Sequence, residues 1–380
     1  MDRLYFDWNA SAPLRAEAAE AMRRAEGLLG NPSSVHEEGR SLRALLEEAR
    51  GRVARALDAE GSRVLFTSGA TEANNLAILG FAGAAERAGL PRKLVTTSIE
   101  HSAVLAPARR LEARGWEVVR VDPDRSGSVN SADLLDRATG ASLVSWMLAN
   151  NQVGTLQAVA SVARRGSFVL HTDASQAPGR VPVSFRALGA GLLTLSGHKI
   201  GGPRGVGVLV AREESLVEPM ILGGDQEFGT RAGTEDMAGI LGFAAALECA
   251  VRELDGAVAR MRELSARLRR SLVSAFPWAR VVTPESGALP NTLSLVFPGL
   301  DGRALVVALD MEGVAVSVGS ACASGSIEPS HVLLALGFTP EEARGAMRIS
   351  FGASTSAPEV DELVSRIVRV VSRLRGSGAR

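Results

Sequence analysis

The chain is poor in aromatic residues and almost devoid of cysteine. Aromatics make up 4% of its 380 residues, with a single tyrosine, which leaves little for stacking the bases of a nucleic acid. Two cysteines, Cys249 and Cys322, cannot build a disulfide framework and suit a reducing compartment. Charge of either sign is in no excess. Lys plus Arg and Asp plus Glu both number 42, so no global field draws the chain to nucleic acid or anionic lipid. No apolar run reaches the length of a membrane helix, and Met1 to Asp7 has no signal-peptide pattern. Internal repeats are absent. No GxGxxG opens a strand–helix turn, so the dinucleotide-binding fingerprint is missing too. These absences point to a cytoplasmic protein with no direct nucleic-acid partner and no membrane partner.

The length suffices for two domains, and 46% hydrophobic residues supply a large core. Pro13 opens a helical pattern from Leu14 to Leu29 that stops at Gly30-Asn31-Pro32. A second helix is predicted from Ser33 or Ser34 to about Leu57, with Glu47, Glu48 and Arg50 to Arg55 as its solvated face. From Arg63 the pattern alternates strand, turn and helix. Strands are expected at Val64–Thr67, Leu94–Thr97, Glu117–Val121, Leu143–Leu148, Phe168–Thr172, Leu192–Leu195 and Val206–Val210, with a helix at Ala73–Ala88. Such alternation argues for an α/β domain with a largely parallel sheet and ligands at the carboxyl ends of its strands. Near Asp236 one long helical stretch begins that reaches about Phe276. Beyond it, Thr292–Phe297, Gly302–Glu312, Val314–Val318 and Pro358–Arg375 read as strand, helix, strand and helix. This is a smaller α+β domain, with the boundary inside the long helix.

One stretch organises the chemistry. Leu192-Leu193-Thr194-Leu195 is a buried strand, followed at once by Ser196-Gly197-His198-Lys199 and a glycine-rich turn. Burial at a strand end pushes a lysine toward the free amine that a Schiff-base nucleophile needs. A neighbouring strand, Ser167 to Leu170, ends in His171-Thr172-Asp173-Ala174-Ser175-Gln176. A lysine on one strand end and an acid on the next is how pyridoxal phosphate is held, the lysine on its aldehyde and the acid on its ring nitrogen. Ser68-Gly69-Ala70-Thr71, between a strand and a helix, offers backbone N–H groups and a hydroxyl to an anion, or else is a plain capped turn. In the first case Ser196 and His198 are expected to complete a phosphate cup from the opposite side. His101, in Glu100-His101-Ser102, falls at a strand's carboxyl end, where an imidazole can stack on a pyridine ring and shuttle protons; a structural histidine is the alternative. Asn150-Asn151-Gln152 is either part of the same crevice or a turn.

Cys249 has the helical, apolar setting of a core cysteine. Cys322 does not. It lies in Gly319-Ser320-Ala321-Cys322-Ala323-Ser324-Gly325-Ser326, small residues on both sides, where a thiol can travel. Arg348, in a strand-like context, is either a clamp for a substrate carboxylate or, as its local sequence favours, an exposed salt bridge.

Taken in order, Asn31-Pro32-Ser33-Ser34-Val35-His36, Ser68 to Glu72, Glu100-His101, Asn150-Asn151, Asp173 to Gln176, Ser196 to Lys199, Arg231-Ala232-Gly233-Thr234, Gly319 to Cys322 and Arg348 resemble the group I cysteine desulfurases. The resemblance covers nearly the whole chain. It implies PLP fold type I, aspartate-aminotransferase-like, with a large domain over 14–250 and a small one over 1–13 and 251–380 that carries the cysteine loop. It implies a homodimer, with Lys199 bonded to the cofactor, Asp173 on its ring nitrogen, and Asn151 and Gln176 beside the ring. Ala70, Thr71, Ser196 and His198 would hold the phosphate, and Thr234 would reach the partner subunit's phosphate. His101 would stack on the ring as acid and base, and Asn31 and Arg348 would take the substrate carboxylate. L-cysteine would yield L-alanine, with the sulfur passed as a Cys322 persulfide to an iron–sulfur scaffold or a sulfur carrier, for cluster assembly or tRNA thiolation. No permanent metal site is implied, Cys322 being at most a transient iron–sulfur ligand.

Three segments depart from the family pattern: Gln152 in place of a frequent glutamate, Gly224 to Phe228, and Phe351 to Thr355. They bear on which acceptor docks and on whether the sulfur serves general cluster assembly or a dedicated pathway. A selenocysteine lyase, another C–S lyase of the same fold, and a non-catalytic protein of that fold are the alternatives; Lys199, Asp173 and Cys322 together weigh against the last.

Overall fold

The structure, a computed structural model, describes residues 3–213, 215, 217–319 and 329–377. Seven short strands form its main sheet, in the order Arg63–Thr67, Gly207–Ala211, Leu192–Ser196, Val169–Asp173, Leu143–Ser145, Lys93–Thr97, Glu117–Val121. Gly207–Ala211 runs antiparallel to both neighbours, and every other pairing is parallel. A sheet covered on both faces needs strands apolar at successive positions. Leu192–Ser196 and Gly207–Ala211 are accordingly buried throughout. Helices Ala16–Glu26, Glu37–Ala56 and Met237–Arg252 supply one core, with Leu46, Val53, Phe243 and Leu247. Leu76, Phe81, Val104 and Leu111 supply another. The six parallel strands therefore end on one edge, and their polar continuations meet there.

A further core gathers Leu4 and Phe6 with Met261, Leu268, Leu293, Phe297, Ile349 and Leu363. Its antiparallel sheet runs Ala346–Ser350, Thr292–Val296, Arg280–Val281, and Leu4–Tyr5 pairs in parallel with Val314–Ala315. The first residues of the chain thus pack with its last third.

Several boundaries differ from the pattern's expectation. The first helix starts at Ala16, because residues 12–15 are held extended along the lysine turn: Ala12 N donates to the His198 carbonyl and Arg15 N to the Gly201 carbonyl, both at 2.8 Å. The helix expected at Ala73 begins at Ala70 and passes through a π-turn, Leu76–Gly80, before continuing as Phe81–Arg87. The long stretch from Asp236 is two helices, Met237–Arg252 and Leu254–Ala275. They part at Glu253, where the packing partner changes from the first core to the C-terminal one. The solvated face expected around Arg50 is corrected at Arg50 itself, which is 8% exposed. Its guanidinium meets the buried Glu227 carboxylate at 2.7 and 3.2 Å and the Val64 carbonyl, while Glu227 also accepts from Phe66 N at 2.9 Å. A charge leaves water when it is paired and hydrogen-bonded in this way.

Candidate active site

The converging strand ends enclose a cavity of about 730 Å³. Ala70, Thr71, His101, Asn151, Asp173, Gln176, Ser196, His198, Lys199 and Arg348 all line it. Lys199 closes the short turn Gly197–Lys199 after its strand and is half-buried. Its Nζ donates to the carbonyls of Asn9, at 2.6 Å, and Ala10, at 2.9 Å. Asp173 ends the adjacent strand. Its carboxylate accepts from Asn74 Nδ2 at 2.7 Å and Ser175 N at 2.9 Å, which fixes its direction. Gln176 Nε2 donates to the Asn9 carbonyl at 3.0 Å.

A second part of the cavity lining is a strand–helix turn with free backbone donors. Gly69, at φ 149°, turns the chain from the Arg63–Thr67 strand into a helix whose first N–H groups lack intrahelical partners. Gly207 lets this turn come close: a Cβ there would meet the Gly69 carbonyl carbon at 2.4 Å. His198 Nδ1 lies 3.3 Å from Ser11 Oγ. Burial, with Lys199 and Arg204 adding to it, lowers the His198 pKa to about 4, so its imidazole is neutral near pH 7.

His101 caps a helix and also lines the cavity. Its Nδ1 accepts from Ala103 N at 3.1 Å, capping the Ser102–Glu112 helix, and its ring lines the cavity. Nδ1 as acceptor places the proton of the neutral ring on Nε2. Glu100, just before it, is wholly buried, with Oε1 accepting from Met147 N at 2.8 Å and Thr97 Oγ1 at 2.9 Å. Burial drives its pKa up to about 8, against those two hydrogen bonds and with help from the Asp173 charge. Asn150 is the turn former of its triplet, with Oδ1 accepting from Gln152 N and Val153 N.

Arg348 is no exposed salt bridge. It is 1% exposed, with Nη2 on Asp7 Oδ1 at 2.6 Å and Nη1 on the carbonyls of Asn151, at 2.9 Å, and Gly319, at 3.2 Å. Its strand, Ala346–Ser350, belongs to the C-terminal sheet and brings the guanidinium into the cavity from that side. Two expected residues do not line the cavity. Asn31 Oδ1 accepts from Ser33 N at 2.8 Å in its own turn, and Thr234 borders a smaller hollow of about 120 Å³ beside Glu227 and Arg231. Cys322 lies outside the described residues. The sequence pattern missed Asp7, Asn9, Asn74 and His331, all of which line the cavity or brace its walls. They sit in segments whose local pattern shows only a short extended entry, a helix interior and a loop end.

The model of the aminotransferase class-V family matches residues 4–363. The chain belongs to that family. A cysteine desulfurase IscS of Dictyoglomus turgidum is 40% identical over 377 residues, 98% of this chain and 95% of the relative. Among solved structures, a NifS-like protein superimposes with a TM-score of 0.91 at 36% identity, over 98% of this chain and all of the other. SspA, solved in complex with cysteine, gives 0.78 at 30% identity, over 93% of this chain and all of the other. As a class-V aminotransferase relative of the cysteine desulfurases, the chain is a pyridoxal-phosphate-dependent enzyme of PLP fold type I.

The cavity fits that cofactor. A braced acid, Asp173, an amine, Lys199, and the helix-opening turn Gly69–Thr71 line the same cavity. Ser175 Oγ and Arg348 Nε are buried without a partner among the described residues, and both residues line the cavity. Such orphans are costly unless a ligand satisfies them.

Proposed function

We propose that the chain acts as a cysteine desulfurase: L-cysteine and the Cys322 thiol give L-alanine and a Cys322 persulfide, which passes to an acceptor protein for iron–sulfur assembly or tRNA thiolation. The reading rests above all on the convergence of Lys199, Asp173 and Arg348 on one cavity from three separate strands. Pyridoxal phosphate, when bound, supplies an aldehyde for an amine and a sink for the electrons of the substrate Cα–H bond.

The protein groups then divide the work. Lys199 Nζ would hold the cofactor aldehyde and is the amine placed to take the substrate α-proton. Asp173, fixed by Asn74 and Ser175, would pair with the ring nitrogen. Asn151 and Gln176 would flank the cofactor, and His101, whose Nδ1 accepts from Ala103 N, would serve as acid and base through Nε2. Ala70 N–H, Thr71, Ser196 and His198 would hold the phosphate. Arg348 takes the substrate carboxylate. With Nη1 committed to two carbonyls, Nε is the free donor that a carboxylate can engage side-on together with Nη2. The Cys322 thiolate attacks the substrate sulfur, breaking its bond to carbon, and the substrate carbon skeleton takes up a proton as alanine. The cysteine bound to SspA supports the choice of substrate.

The enzyme works as a homodimer in the cytoplasm, with the large domain over 14–250 and the small one over 1–13 and 251–380. Thr234 and Asn31, off the cavity of their own chain, serve across the dimer axis. Leu29, Val35 and Leu222, each more than four-fifths exposed, are the apolar side chains assigned to the partner contact.

The test is the absorbance of the purified protein before and after L-cysteine, with alanine and sulfide assayed under a reductant. A yellow protein that forms alanine is expected, with Lys199→Ala losing the bound chromophore and Cys322→Ala losing desulfuration. A yellow protein inert to cysteine but active on selenocysteine would move the assignment to a selenocysteine lyase, and one that never takes up the cofactor would end it.

A further inference from the structure

Four arginines are buried among the described residues: Arg50, Arg180, Arg348 and Arg366. Three are matched by a carboxylate, Glu227 at 2.7 Å, Asp7 at 2.6 Å and Glu362 at 2.7 Å respectively. Arg180 has none. Nη1 donates to the Gln176 carbonyl at 3.0 Å and to Gln176 Oε1, and Nη2 donates to the carbonyls of Lys199, at 3.3 Å, and Trp8, at 3.5 Å. Burial and the Arg348 cation both disfavour its charge, yet a guanidinium does not surrender its proton in a protein. An unmatched buried cation is costly, and neutral oxygens offset that cost only in part.

The partners it does have are the walls around Lys199. Its fork grips the Lys199 backbone directly. Through Gln176 it reaches the lysine's other end, because Gln176 Nε2 donates to the Asn9 carbonyl at 3.0 Å, and that carbonyl also accepts Lys199 Nζ at 2.6 Å. A guanidinium on Oε1 polarises the amide and strengthens its N–H as a donor. The Asn9 oxygen is then less able to hold an ammonium. The fixed positive charge opposes a second one on Nζ as well.

We propose that Arg180 is a positioning residue that sets the reactivity of Lys199, orienting it through the Lys199 carbonyl and the Gln176–Asn9 bridge while its unmatched charge favours the neutral amine. The consequence for catalysis rests on the role given to Lys199 above, but the amine's reactivity is measured without reference to that role.

The sequence makes the measurement clean, since it contains two lysines, Lys93 and Lys199. Lys93 starts its strand and pairs with Glu117 at 3.1 Å, away from the cavity, so it is an internal reference. The full-length chain, freed of cofactor and checked for native circular dichroism, is trace-acetylated at about pH 7.5, and the ratio of acetyl-Lys199 to acetyl-Lys93 is read by mass spectrometry. Arg180→Met is expected to lower the ratio about tenfold, the effect of one unit in an amine's pKa, whereas Arg180→Lys, which keeps the charge, stays within about threefold of the wild type. An unchanged ratio in folded Arg180→Met overturns the proposal, and so does an equal loss in both variants. Should Arg180→Met not fold, Arg180→Gln takes its place under the same criteria. Failure of the site reading is a separate event: a Lys199→Ala variant that still binds the cofactor covalently.

Discussion

At the scale of single residues, the site is governed by how burial sets charge. Glu100 is the sharpest case, a carboxyl in the chain's interior whose pKa is raised from 4.5 to about 8. Between those two values the folded protein keeps a proton that the unfolded chain has released. Stability therefore falls as pH rises through that window and levels off above it. Glu100→Gln preserves the acceptor used by Met147 N and Thr97 Oγ1 and removes the titration. The melting temperature of the variant relative to wild type is expected to climb between about pH 5 and about pH 9. A difference that stays flat across that range would show that Glu100 does not carry the proton. Residue chemistry of this kind was only partly legible in the sequence. Lys199 and Asp173 were, because strand ends announce themselves. The buried state of Arg348 was not, since five residues of strand look the same with their guanidinium in water or under a sheet. Asp7, its partner, lies 341 positions away.

At the scale of elements, the anion cup depends on one strand approaching one turn. The Gly207–Ala211 strand runs beside Arg63–Thr67, with Gly207 paired to Thr67 just before the Gly69 turn. Replacing Gly207 by Ala puts a methyl into the Gly69 backbone, at 2.6 Å from its Cα, and backbone cannot swing aside like a flexible side chain. We expect Gly207→Ala to cost about 1–3 kcal/mol in urea titration and to weaken cofactor affinity about tenfold, as the turn's N–H groups are pushed out of line. Wild-type affinity in that variant would mean that the turn does not hold the phosphate. The strands themselves followed from apolar runs bounded by glycine and polar turns, and most were placed to within a residue or two. Helix ends fared less well. Ala16 was misjudged by two positions and Glu37 by three or more, because tertiary hydrogen bonds to residues 198–201 and a cap by His36 set them. The π-turn at Leu76–Gly80 leaves no mark in the hydrophobic period.

At the scale of the whole molecule, the C-terminal core is tied to the main sheet by the N-terminal segment, which pairs Leu4–Tyr5 with the C-terminal region and then passes Asn9 and Ala10 beneath Lys199. Sedimentation of the purified protein is expected to give a dimer, and Leu222→Asp, placing a charge on a side chain that is 81% exposed in the single chain, should shift it toward monomer and weaken cofactor binding with it. A wild-type monomer with full activity would remove the shared site. The sequence by itself determined the α/β class and most of the strands, and it singled out Lys199 and Asp173, which the fold brings to one cavity, because those depend on local pattern and on residue chemistry. Tertiary structure alone decided that Asp7 neutralises Arg348, that Glu227 neutralises Arg50, and that Arg180 stays unmatched beneath Lys199. Charge pairing in a low-dielectric interior is a matter of distance in space, and nothing in a linear pattern records which oxygen a buried guanidinium will meet.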